Sequence, residues 1–287
     1  MIIRVRKSFC CAVSAALVLL AVCIFYLPQG KPAAAQKSLR IPIIMYHQIS
    51  RKTDNIGRYI INSEELEKDL KYIKSLGYET VGVSDIVSFV SGEKELPEKC
   101  VMLTFDDGYE TGYTILYPLL QKYNMKAVIS VIGSLTELYT ENEDHNDRYS
   151  YLDESEIKLL SKTEEVEIEN HSYNMHYCEK GRRKGINKLY SESVSDYEKA
   201  ITEDVGKMQE YLFSLTGVMP KAIAYPFGEC CEETVSVCES LGFSVTFTCE
   251  EKVSTITKYR PETLYNLGRY NRSGTSQRES FFSKILT

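Results

Sequence analysis

The sequence predicts an α/β fold: an irregular (β/α) barrel of about seven to eight parallel strands. Three observations predict it. Short apolar runs alternate with segments of helical period along almost the whole chain. About eight strand candidates fall within roughly 250 residues, the spacing of a βα repeat. The residues best able to do chemistry stand just after strand candidates, where parallel barrels gather their functional loops.

Residues 41–46 form the first strand candidate, apolar throughout. Residues 63–76 carry a 3.6-residue apolar period, with Asn62 or Ser63 placed to cap the helix and Gly77 to stop it. A short strand near 78–81, a helix from about Ser84 and a strand at 101–105 come next. Residues 118–123 read as helical, with Pro118 tolerated in the first turn. Strands at 126–132 and 166–169 precede a long helix at 195–216, which Gly217 closes. Strands at 222–225, 244–248 and 264–270, with a helix over 232–241, complete the pattern.

The amino-terminal segment differs. Arg4, Arg6 and Lys7 precede an apolar run at 9–27, in which Ser14 is the one plainly polar side chain. As a helix this run is close to the thickness of a bilayer core, and the basic flank predicts export of the chain beyond it. Residues 1–27 therefore read as a signal or membrane-anchor segment. Ala33-Ala34-Ala35 offers a cleavage site, while the length of the run favours an anchor. Residues 28–40 read as a linker and 41–287 as the folded domain. The expected place of that domain is the extracellular side of the membrane, anchored through the amino-terminal segment or secreted.

Four of the 34 basic residues and none of the 40 acidic ones lie in residues 1–35, so the remainder carries a net charge of −10. Such a surface repels phosphate backbones, which excludes nucleic acid as a partner. Of the nine cysteines, six fall in the exported part: Cys100, Cys178, Cys230, Cys231, Cys238 and Cys249. No Cys-x-x-Cys pair occurs, so a cysteine zinc site is not expected; disulfides and free thiols both stay open.

Two segments carry chemistry. Thr104-Phe105-Asp106-Asp107-Gly108 ends a strand candidate, and adjacent carboxylates there need a cation or hydrogen bonds if they are buried. His171 and His176, two of only four histidines, come just after the strand candidate at 166–169. One carboxylate and two imidazoles from separate strand ends form a metal donor set with positions left open.

These segments resemble the polysaccharide deacetylase family, the NodB-homology domain, over roughly residues 41–287. Thr104–Gly108 matches the family's first motif. His171-Ser172 opens the second, His-[Ser/Thr]-x-x-His, with one extra residue before His176. That spacing, with the opening Ile43-Ile44-Met45-Tyr46-His47, is similar to the branch acting on exported poly-N-acetylglucosamine. Ala224-Tyr225-Pro226-Phe227-Gly228 resembles the third motif, Arg-x-Pro-[Tyr/Phe]. The resemblance implies a divalent metal, Zn²⁺ first among them, on Asp107, His171 and His176, and Asp106 as general base. It also implies the Phe227 backbone N–H as oxyanion donor. Tyr225 and Pro226, beside it, are candidates to contact a carbohydrate polymer. The implied reaction is removal of N-acetyl groups from peptidoglycan, exopolysaccharide or a chitin-like chain. O-deacetylation of a glycan such as xylan, and a silent glycan-binding protein, are the alternatives.

The chain departs from the family twice. No histidine comes after His176, so the late Leu-x-His acid is missing; His47, at the end of the first strand candidate, is the proposed general acid. Ala224 stands where the family has arginine. Arg269, in the last strand candidate, is proposed to clamp Asp106 in its place.

Overall fold

The computed structural model describes residues 37–179 and 182–286. Among these residues the strands are β1 (Ser38–Ile41), β2 (Ile43–Tyr46), β3 (Gln48–Ser50), β4 (Ile60–Asn62), β5 (Glu79–Thr80), β6 (Cys100–Phe105), β7 (Ala127–Val131), β8 (Val166–Asn170), β9 (Ala222–Ala224), β10 (Val245–Phe247), β11 (Ser254–Thr257) and β12 (Tyr270–Asn271). The helices are α1 (Ser63–Ser75), α2 (Val83–Ser91), α3 (Tyr117–Tyr123), α4 (Gly133–Asn142), α5 (Glu154–Leu160), α6 (Val194–Thr216), α7 (Thr234–Ser240) and α8 (Arg278–Phe282). A π-helical turn, Gly112–Leu116, leads into α3.

One parallel sheet runs β10-β9-β8-β7-β6-β2-β12, with β5 beside the start of β6. Its two ends meet. Leu267 bridges Phe247 of β10 in parallel, and Tyr270 and Asn271 pair with Ile44 and Met45 of β2. The segment 267–271 thus touches both edges and curls the sheet into the irregular barrel that the sequence predicts.

The register explains the two-sided core. Ile43 aligns with Met102 and Ile44 with Leu103. Ile43, Met102, Val128, Val245 and Phe247 belong to one buried cluster. Ile44, Leu103 and Ile129 belong to another, with Leu66, Leu70 and Ile73 of α1. Alternate residues therefore face the barrel interior and the surrounding helices, as a two-residue strand period requires. Every residue of β6 is buried, which is why it reads as an unbroken apolar run. Capping matches the sequence reading: the Asn62 side chain accepts from Glu64 N at 2.9 Å at the start of α1, and Gly217 ends α6 at φ 72°.

Two expectations are corrected. Residues 38–40 are not linker: Ser38–Ile41 pairs antiparallel with β11, so the domain begins by residue 38. The last strand is not continuous over 264–270. Pro261–Leu264 is a 3₁₀ turn, only Leu267 bridges β10, and β12 is two residues long. Gly268 sits between them because a Cβ there would lie 2.6 Å from the Glu250 carbonyl oxygen. The expected span at 9–27 and the cleavage site at 33–35 lie outside the described residues. Among the described residues, no helix is long and apolar enough to cross a membrane. The six cysteines among the described residues are all free.

Candidate active site

Three strands of the barrel sheet lead into non-glycine residues with left-handed backbone: Asp107 after β6 (φ 72°), Ser172 after β8 (φ 69°) and Phe227 after β9 (φ 59°). Such conformations cost of order 1–3 kcal/mol each and persist where the surroundings fix them. Gly108 continues the first turn at φ 76°, and a Cβ there would lie 2.8 Å from Val131. These turns bring side chains from separate strands over the barrel mouth.

Asp107, His171 and His176 converge, their ligand atoms all within 4.8 Å of one another. Asp107 Oδ1 stands 3.4 Å from His171 Nε2 and 3.2 Å from His176 Nε2. That oxygen is buried and has no hydrogen-bond partner. His171 Nδ1 lies 2.7 Å from the Ala224 carbonyl oxygen. A carbonyl only accepts, so Nδ1 carries a proton, and in the neutral imidazole Nε2 turns its lone pair toward Asp107. Burial pushes Asp107 up, but the two facing imidazoles hold it well below the usual carboxylate range. Burial pushes His171 down, and Asp107 more than reverses it. An orphaned carboxylate oxygen facing two imidazole nitrogens, one with its tautomer fixed from behind, fits a divalent ion.

Asp106 continues the inward row of Met102 and Thr104 and is 3% exposed. Arg269, fully buried, reaches it as a two-pronged clamp: Nη1 donates to Oδ1 at 2.7 Å and Nη2 to Oδ2 at 2.8 Å. The guanidinium also donates through Nε to the Thr248 carbonyl at 3.0 Å and through Nη1 to Thr104 Oγ1 at 3.2 Å. Burial alone would raise the Asp106 pKa; the Arg269 charge overrides it and holds the carboxyl below its ordinary range. The arginine absent from position 224 is thus supplied in space by the closing segment of the barrel.

His47 comes directly after β2 and packs against Tyr59, ring centroids 4.7 Å apart. Its Nδ1 is buried without a partner. Burial lowers its pKa below the usual imidazole value, with Asp106 and Asp107 pulling the other way. Phe227 lies over His176, centroids 4.3 Å apart, and is 36% exposed. Beside the two hydrogen bonds of its turn, Gly228 N to Tyr225 O and Glu229 N to Pro226 O, the Phe227 N–H donates to no backbone carbonyl among the described residues.

Tyr225 and Pro226 are corrected. Tyr225 lies in the outward row with Ile223, fully buried among Ile186, Tyr197, Ile201 and Val205, so its ring offers no surface to a ligand. Pro226 is also buried and starts the turn that carries Phe227. His145 stands apart from the site, its Nδ1 2.6 Å from Glu110 Oε1. Sequence reasoning missed the supporting groups: Thr104, Thr248, the Ala224 carbonyl and Tyr59. The hydroxyl of Thr104 was visible in the aspartate motif; the two carbonyls carry no side-chain signal.

Fold and site define a class: a parallel barrel with a divalent-cation donor set at its mouth, beside a second carboxylate held by arginine. A family model for polysaccharide deacetylase matches residues 93–246, and the chain belongs to that family. It is 27% identical over 224 residues to the poly-beta-1,6-N-acetyl-D-glucosamine N-deacetylase of Escherichia coli K12, covering 72% of this chain and 33% of that one. It is 29% identical over 200 residues to the enzyme of the same name from Staphylococcus aureus MRSA252, covering 70% and 64%. The match thus spans about a third of the Escherichia coli relative and under two thirds of the staphylococcal one. Among solved structures, the de-N-acetylase from Aggregatibacter actinomycetemcomitans superposes with a TM-score of 0.74 at 21% identity, over 86% of this chain and 100% of that one. IcaB from Ammonifex degensii gives 0.67 at 23%, over 82% and 92%. These two share the fold.

Proposed function

We propose that this protein is a metal-dependent hydrolase that removes N-acetyl groups from an extracellular N-acetylglucosamine polymer. The carrying observation is the pairing of two carboxylates at one strand end: Asp107 with two imidazoles, Asp106 with an arginine. The relatives' printed substrate supports a β-1,6-linked glycan.

Asp107, His171 and His176 would hold the ion, with Zn²⁺ favoured by two nitrogen donors and one oxygen. When bound, such an ion polarises the acetyl carbonyl and acidifies water. The chain's own groups do the rest. Arg269 keeps Asp106 ionised and fixes both its oxygens, so it is always in the state that accepts a proton from the attacking water. The Phe227 N–H is the donor for the negative charge that develops on the carbonyl oxygen. His47 delivers a proton to the departing amine. Its burial favours this, because an imidazolium in a desolvated pocket gives up its proton readily.

The basic-flanked apolar run at the amino terminus supports a location outside the cytoplasmic membrane, anchored or secreted. The test is acetate release from N-acetylglucosamine oligomers, with chelator and Zn²⁺ re-addition, beside acetylated xylan. Chelator-sensitive release from the amide substrate alone is expected. Release from xylan alone makes the protein an esterase, and binding of oligomer without release makes it a lectin.

A further inference from the structure

The closing segment of the barrel has short strand pairing, one bridge at Leu267 and two ladder residues at Tyr270 and Asn271, with one further backbone bond from Arg269 N to the Glu250 carbonyl at 2.9 Å. It nevertheless carries Arg269, which must meet Asp106 within hydrogen-bond distance on both prongs. A second buried clamp lies on its outer side. Asp69 of α1 is fully buried and receives Arg272 twice, Nε to Oδ2 at 2.8 Å and Nη2 to Oδ1 at 3.1 Å. Arg278 adds Nε to Oδ1 at 2.8 Å, and Tyr46 donates its hydroxyl to Oδ2 at 3.3 Å.

These contacts reach every strand that bears an acid or base of the proposed reaction. Tyr46 immediately precedes His47 and stacks on Phe105 at 4.9 Å and 10°; Phe105 immediately precedes Asp106. Asp106 N donates to the Tyr46 carbonyl at 3.0 Å, and Arg272 N to the Met45 carbonyl at 2.9 Å. A buried ion pair adds little net stability over apolar packing, but a bidentate one fixes register, which two ladder residues do weakly. Among the described residues, the side-chain bonds of Asp69, Arg272 and Tyr46 go to one another and to Arg278, Ser273 and Ser276, not to Asp107, His171 or His176.

We propose that Asp69, acting through Arg272 and Tyr46, is a positioning residue that sets His47 and the Asp106–Arg269 pair in register for catalysis. This rests on the deacetylase reading above. The test compares three variants, Asp69→Asn, Arg272→Lys and Arg278→Ala, by kcat and KM on an N-acetylglucosamine oligomer, Zn²⁺ stoichiometry and thermal midpoint. Arg278→Ala is the control, since it removes an Asp69 contact that comes from α8, whereas Arg272 directly follows the closing segment and bonds to β2. We expect Asp69→Asn and Arg272→Lys to lower kcat by about tenfold or more, with KM and Zn²⁺ content unchanged, as small misplacement of reacting groups does. Arg278→Ala is expected to leave kcat within about twofold at a comparable loss of midpoint. Equal kcat in all three folded variants overturns the proposal, as does a kcat loss that tracks the midpoint alone. If Asp69→Asn does not fold, Arg272→Lys decides. A wild-type protein without turnover refutes the deacetylase reading instead. The positioning claim is then read from the His47 imidazole resonances, which must shift in the first two variants and not in Arg278→Ala.

Discussion

Two groups of buried carboxylates in this barrel meet opposite fates. Asp106 and Asp107, at the mouth, are held below their ordinary pKa by Arg269 and by two imidazoles. Glu169, near the end of β8, and Glu156, at the start of α5, are pushed up by burial. Glu169 receives the Ala222 N–H at 2.7 Å, and Glu156 closes a capping box with Asp153. Backbone amides satisfy these carboxyls but bring no full charge, so burial wins and their pKa rises. In these four, burial without a contacting cation raises the carboxyl's pKa, and burial against Arg269 or the two imidazoles leaves it lowered.

The sharpest way to break this contrast is to remove a metal donor. Asp107→Asn or His171→Ala should abolish stoichiometric Zn²⁺ binding and lower acetate release by more than about 10²-fold, read by metal analysis and turnover. The next effect belongs to the clamp. Arg269→Ala leaves Asp106 buried without its cation, so its pKa rises; turnover should fall about 10²-fold, with the acid limb of the pH–rate profile moved to higher pH. Stability should fall by about 3 kcal/mol, seen in urea unfolding.

The other group predicts the reverse sign. Burial first, then the nearby Asp153 and Glu110 charges, push Glu156 up to about 7. Its folded pKa exceeds the unfolded one, so the stability it contributes is present below the usual carboxylate range and is lost as pH rises toward 7. Glu156→Gln should therefore gain about 2 kcal/mol over wild type at pH 8 and little at pH 4, by urea unfolding at both. Glu169→Gln should act in the same direction while leaving kcat unchanged, since the amide oxygen can still accept from Ala222 N. A loss of turnover in that variant would join the two groups into one and dissolve the contrast.

Most of the site was legible because its donors sit in short runs. Asp106 and Asp107 are adjacent, and His171 and His176 are five residues apart, each run just beyond an apolar strand. The pairing of Arg269 with Asp106 could be inferred because position 224 lacks its arginine. Tyr225 misled for a reason of parity: it shares the outward row with Ile223, and sequence proximity to Phe227 does not reveal on which face a ring falls. The closing strand misled because its pairing is too short to leave a periodic trace, its order coming from Arg269 and Arg272 instead. Helices α4 and α5 and the parallel pair β3–β4 went unread, lying where polar residues and short apolar runs blur any period.

The bond between Arg269 and Asp106 joins residues 163 positions apart. Contacts of that span form late, after loop-closure entropy has been met. A ribosome, or an export channel threading the chain from its amino terminus, delivers all three metal donors well before it delivers this arginine. On the function proposed above, a nascent chain holds its metal donors while Asp106 lies undirected, and hydrolysis waits for residue 269 to emerge and dock.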